Sequence, residues 1–330
     1  MADNDEQKLT GEYLYTEWQG ANKATGIGKR AWVRNAYPGL TYDQWWGRVW
    51  RWQQAEKGKV APKPELYPFF IETEQVFEGD WMIVSDVHAP CTDYDMAQMV
   101  SVIAEKHLPK CQGLIVAGDM LNADAYSKYA NLIRLPSWQT EIESAKHLFT
   151  EWLEIFPRIV WLLGNHEHRK LAADNGQTTV QQLLDMVCQD PRVTISTLDR
   201  CYIETGNGKW LIAHGRNYSQ SQLTNAAKYA EKYQCNVIAG HEHHLAVGQD
   251  LYKRYIVVNN GGLFDPRKLA YVQLNTSTSA EMAPGFTMLR GGYPYVFGRD
   301  HVTDWSFWLR DEEAAQPKPD LRLADKRKAA

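Results

Sequence analysis

The chain predicts an α/β domain preceded by a small helical one, and three observations carry that prediction. Five short apolar runs, WMIVSDVH, GLIVAGD, IVWLLGNHE, WLIAHG and VIAGHEH, each end in residues that bind metals through oxygen or nitrogen. Stretches with helical spacing lie between or beside these runs, so strand and helix alternate, as in α/β folds. The segment ahead of them differs in kind, being basic and rich in tryptophan.

In chain order, residues 1–19 read as a flexible polar leader; the opening MADNDEQKLT is acidic and polar, unlike a signal peptide. Residues 20–63 hold nine Lys or Arg against Asp43 and Glu56, a surplus of seven that leaves −11 for the other residues. With Trp32, Trp45, Trp46, Trp50 and Trp52, this composition predicts a small folded unit rather than a disordered arm. A helix is expected over 41–56, with Thr41 as N-cap, Asp43 in the first turn, and Trp45, Val49 and Trp52 on one face. A shorter one is expected around Lys29 to Asn35, with Pro38-Gly39 as the turn. Residues 64–80 read as a linker, and 81–310 as the main domain. Within it, helices are expected over 94–107, 138–155, 177–189 and 219–233, the second carrying an apolar stripe from Trp138 through Ile142, Ala145, Phe149 and Trp152. YKRYIVVNNGG predicts a strand and glycine turn, and LAYVQL another strand; residues 282–310 hold short aromatic segments of unassigned structure. The charged tail, 311–330, reads as disordered.

Composition excludes several classes. A 44% hydrophobic content over 330 residues supports a sizeable core, and 23% charged residues is ordinary for a globular chain. The net charge of −4 favours no partner by itself. Five cysteines without CxxC spacing argue against a disulfide framework or zinc knuckle and for a reducing compartment, here read as the cytoplasm. No apolar run reaches the ~18 residues of a membrane span, so no membrane partner is expected.

The polar run-ends are the functional signal. Asp86 with His88, Asp119, Asn165 with His166, His214, and His241 with His243 would lie at the carboxyl edge of a sheet, where α/β proteins build their sites. Each costs burial energy unless paired or coordinated. An aspartate at a strand end taken alone more often caps a turn; five such motifs in order are a different matter. Mixed carboxylate, amide and imidazole donors suit Mn²⁺, Fe²⁺, Zn²⁺ or Ni²⁺ better than Ca²⁺ or Mg²⁺. Seven donors exceed the need of one four-coordinate ion; two ions about 3.5–4 Å apart, bridged by a carboxylate and a hydroxide, would use them all.

The order of motifs, S-D-V-H, A-G-D, G-N-H-E, A-H-G and G-H-E-H, resembles that of the calcineurin-like metallophosphoesterase superfamily over roughly Trp81 to Leu274. The resemblance implies a four-layer α/β/β/α sandwich and two divalent ions, manganese first, with iron, zinc or nickel as alternatives. It places Asp86, His88 and His243 on one ion, Asn165, His214 and His241 on the other, and Asp119 between them. A metal-bridging hydroxide would attack a phosphoester, and His166 would stabilise the transition state or protonate the leaving oxygen. Where phosphoprotein phosphatases carry Gly-Asp-x-x-Asp-Arg-Gly, this chain reads G-D-M-L-N-A-D, with Asn122 and no arginine; Asn122 and Arg169 are the candidate contacts to the substrate phosphate. That departure favours a phosphodiesterase, nucleases included, over a phosphomonoesterase acting on nucleotides or phosphoproteins. A third reading is a nucleic-acid-binding protein with weak catalysis. The basic segment 20–63 bears on it as either a nucleic-acid contact or a cap that buries its tryptophans.

Overall fold

The computed structural model describes residues 10–56, 73–127, 130, 135–274, 281–299 and 303–310, and the chain divides into two compact units, Met1–Ile71 and Glu72–Ala330. Residues 1–9 of the expected leader, 64–72 of the expected linker and the tail 311–330 lie outside the described residues.

The first unit is helical: α1 (Gly11–Thr25), α2 (Lys29–Ala36) and α3 (Tyr42–Glu56). α1 corrects the expectation of a flexible leader over 1–19. Thr10 caps it by accepting from the Tyr13 N–H, and Leu14 is wholly buried with Trp32, Val33, Trp45 and Val49. The polar residues around Leu14 and Trp18 masked a helical apolar face. Thr41 and Gln44 cap α3 reciprocally, each side chain accepting from the other's backbone N–H. Trp45 and Val49 fill the core at helical spacing.

The second unit is an α/β/β/α sandwich. One six-stranded sheet runs β12 (Tyr293–Gly298), β11 (Gly285–Arg290), β2 (Trp81–Val84), β3 (Gly113–Ala117), β4 (Ile159–Leu162), β5 (Val193–Ser196). The other runs β1 (Val76–Glu78), β6 (Arg200–Thr205), β7 (Gly208–Ala213), β8 (Asn236–Ala239), β10 (Ile256–Asn260), β9 (Leu245–Gln249). Trp81, Ile83, Ile115 and Val160 of the first sheet pack with Ile203, Trp210, Ile238 and Val258 of the second to form the central layer. On the first sheet's outer face, Val84, Leu114, Val116 and Trp161 meet α4 (Tyr94–His107), α5 (Trp138–Ile155) and α7 (Val180–Val187). On the second sheet's outer face lies α8 (Thr224–Tyr233). Strands buried on both faces read as unbroken apolar runs, hence the absence of alternation in WMIV and GLIVA.

Three expectations are corrected. Val76–Glu78, assigned to the linker, is a strand paired in parallel with β6. LAYVQL is not a strand: Asp265 caps a turn at Pro266–Lys268, Leu269 and Ala270 are buried, and the chain continues as the short α9 (Ala270–Leu274). The expected helices over 177–189 and 219–233 are shorter, α7 and α8. The aromatic segments in 282–310 become the hairpin β11–β12 and α10 (Trp305–Leu309), with Phe286 stacked on Phe297.

Candidate metal centre

The parallel neighbours β2, β3 and β4 of one sheet and β7 and β8 of the other release their carboxyl ends into one place. Those ends carry the polar residues singled out in the sequence. Asp86, His88, Asp119 and His214 are essentially inaccessible, and His243 is 6% exposed. Asn165 opens α6 (Asn165–Ala173).

The backbone is forced to aim these side chains. Asp86, His88, Asp119, His241 and His243 all have positive φ, between 50° and 77°. For residues with a Cβ this conformation costs energy, and a cluster of such residues marks a functional site. Close approach demands glycine nearby: a Cβ on Gly118 would stand 2.4 Å from the His214 ring, and one on Gly164 would stand 2.1 Å from Asp119 Oδ1.

The donors converge in overlapping groups. Asp86, His88 and His243 offer atoms within 4.8 Å of one another, as do Asp119, His214 and His241, and as do His88, Asp119 and His166. His243 Nε2 lies 3.1 Å from Asp86 Oδ1 and 3.2 Å from His88 Nε2. His214 Nε2 lies 3.2 Å from Asp119 Oδ2 and 2.9 Å from Asn165 Oδ1. Three imidazole nitrogens, two carboxylates and an amide oxygen around these points form a donor set suited to divalent cations.

Electrostatics agree with that assignment. Burial pushes the Asp86 and Asp119 carboxyls up, yet the imidazoles beside them (His243 for Asp86; His166 and His214 for Asp119) hold both below the usual carboxylate range, so both stay ionised. Burial, reinforced by neighbouring imidazoles, pushes His88 well down and His241 to about 4, so both imidazoles are neutral at pH 7. His214 goes the other way, to about 10, because the Asp119 carboxylate outweighs burial.

His166 is set apart from the seven. Its backbone N–H donates to Asp119 Oδ1 at 2.8 Å, its Nδ1 faces the Asn122 carbonyl, and its Nε2 stands 3.7 Å from Asp119 Oδ2. With Nδ1 committed as donor, Nε2 is the atom open to proton exchange. The Asn122 side chain is turned elsewhere, its amide donating to Asp124 Oδ2 at 2.9 Å. Arg169 faces Asp124 as well, at 3.7 Å, which answers part of its charge.

The site also contains residues to which the sequence reading gave no role. Glu167 is fully buried and accepts from the Asp119, Gly164 and Leu121 N–H groups at 3.1, 2.8 and 2.9 Å, tying the loop after β3 to α6. Glu242, between the two histidines of its motif, accepts from Ser219 N–H and from the side chains of Asn225 and Asn259. Their presence inside the motifs was the available signal. Arg216, two residues past His214, lies 3.3 Å from His168 Nε2 and 3.7 Å from Asp199, with most of its side chain exposed. Nothing in the sequence marked that contact.

A family model of the calcineurin-like phosphoesterase superfamily domain matches residues 80–279. Among solved structures, a metallophosphoesterase from Sphaerobacter thermophilus is 12% identical, with 73% of this chain and 96% of that one covered at a TM-score of 0.36. Wild-type Vps29 complexed with Zn²⁺ from Entamoeba histolytica is 13% identical, covering 67% and 98% at 0.31. A conserved uncharacterised protein and predicted phosphoesterase from Streptococcus pneumoniae is 14% identical, covering 67% and 98% at 0.29. No curated protein matches the chain. Among the described residues, no helix is long and apolar enough to cross a membrane.

Proposed function

The chain belongs to the calcineurin-like phosphoesterase superfamily, and from that premise we propose that it hydrolyses phosphodiesters with two divalent ions, manganese first. The observation that carries this reading is the sharing of Asp119: it groups with His88 and His166 on one side and with His214 and His241 on the other. Asp86, His88 and His243 would hold one ion; Asn165, His214 and His241 would hold the second; Asp119 would serve both. Such a pair supplies a water activated near pH 7 and positive charge for the phosphoryl oxygens.

The chain's own residues do the rest. His166 works through Nε2, because its Nδ1 proton is held by the Asn122 carbonyl. Burial lowers its pKa, while Asp119 and the Asn122 carbonyl oppose that shift. With Nδ1 tied to the Asn122 carbonyl, a proton taken from solvent at Nε2 would be the one handed to the leaving oxygen.

A diester is favoured over a monoester by the charge inventory. Arg169 is partly answered by Asp124, and Arg216 by Asp199. A monoester dianion asks for more uncompensated positive charge at its terminal oxygens than a singly charged diester does. The test compares bis(p-nitrophenyl) phosphate with p-nitrophenyl phosphate on manganese-loaded protein. Faster diester turnover supports the reading, faster monoester turnover replaces it with a phosphomonoesterase, and no turnover of either removes hydrolysis.

A further inference from the structure

We propose that the N-terminal helical unit binds single-stranded nucleic acid across the outer face of α3. This inference shares phosphodiester chemistry with the hydrolase reading but stands on separate residues. The unit does not hide all its tryptophans. Trp45 is fully buried and Trp32 nearly so, whereas Trp46 is 38% and Trp50 51% exposed. Large indoles normally leave water, and exposed ones mark contact surfaces.

The arrangement fits a platform for bases. Trp46 and Trp50 are four residues apart on one helix face, a rise of about 6 Å. Gly47, in the adjoining row, leaves open space where a side chain would stand. Bases of one strand in a duplex are about 3.4 Å apart and closed to an inserted indole face, so the wider spacing suits unstacked bases of a single strand.

Cations border the indoles. Lys29 Nζ lies over the Trp46 ring, 4.9 Å from its centre, and over the Trp18 ring at 4.8 Å, so it covers one face of Trp46 and leaves Trp50 as the more exposed indole. Exposed Arg51 donates from Nε to the Gly47 carbonyl at 3.0 Å, which keeps its guanidinium on the neighbouring row. From Lys29 to Arg51 the chain carries five Lys or Arg, including Arg30, Arg34 and Arg48, against Asp43 as the one acid. An acidic or purely apolar protein partner would leave either Lys29 and Arg51 or Trp46 and Trp50 unused; a strand of phosphates and bases engages both.

The test measures binding of a 5′-labelled 20-nucleotide single strand, as DNA and as RNA, and of the corresponding duplex, by fluorescence anisotropy on the full chain. A gel confirms that the probe stays intact. Salt-dependent single-strand binding is expected, weakened at least tenfold by the double change Trp46→Ala, Trp50→Ala; stacking losses run at roughly five- to 150-fold per base. Lys29→Glu with Arg51→Glu, which leaves the indoles in place, should lower the slope of log K against log salt by up to about 1.4. Both variants should turn over bis(p-nitrophenyl) phosphate as the unaltered chain does. Absent binding, binding indifferent to both variants, or equal binding of the duplex overturns the proposal. None of those results bears on the hydrolase reading, which fails on the nitrophenyl substrates instead.

Discussion

Glu141 ties the stability of this fold to pH. It lies on α5, is 1% exposed, and accepts from the Ala123 N–H at 2.7 Å through one oxygen; the other is buried with no hydrogen-bond partner. Burial pushes its pKa up to about 8, with Asp124 and Glu167 adding to the shift and the Ala123 N–H and Arg169 opposing it. In the unfolded chain the group titrates near its ordinary value of 4.5. Between those two values the folded state keeps a proton the unfolded state has lost. Stability therefore falls as pH rises through the window, and the loss is complete above about pH 8. At 1.36 kcal/mol per unit the full effect is on the order of 5 kcal/mol as an upper bound. Glu141→Gln stays neutral at every pH and keeps an oxygen for Ala123. Its stability advantage over the unaltered chain should grow steadily from pH 5.5 to 8 and then level off. Urea midpoints for both proteins at half-unit steps of pH provide the measurement. Two curves running parallel across that range would refute the claim that a proton is held at this buried carboxyl.

Three further outcomes are expected. Asp119→Asn should lower turnover of the diester substrate by ~10²-fold or more, as loss of a fixed electrostatic group does, and should reduce bound metal measured by elemental analysis; unchanged activity removes Asp119 from the centre. His166→Ala should cut kcat by roughly 10²–10⁴-fold with metal content nearly intact, whereas loss of both metals would make His166 a ligand. Glu167→Ala strands three buried N–H groups, each at ~1–3 kcal/mol, so the urea midpoint should drop sharply; an unshifted midpoint would show that the loop after β3 is held by other contacts.

What the sequence could reveal follows from the range over which each feature is determined. The donors were legible because their signal is local: an apolar strand ending in Asp or His stands out wherever the strand is placed. α4 and α5 were legible to the residue because Asp93 and Ser137 cap them and their apolar faces repeat at helical spacing. α1 looks like a polar leader in sequence because the partners that bury Leu14, among them Trp45 and Val49, arrive thirty residues later. The same distance hides sheet membership. β11 pairs with β2 across two hundred residues, and nothing in GFTMLR specifies that neighbour. Glu167, Glu141 and Arg216 escaped for a related reason. Glu167 had its place in the G-N-H-E motif as a signal, but that it accepts three backbone N–H groups depends on which loop the fold lays beside it, and Glu141 looks in sequence like any glutamate on a helix. The centre is thus read from residue type, while the scaffold that holds it is fixed by contacts that periodicity does not encode. Mutations in that scaffold are where structure adds most to prediction.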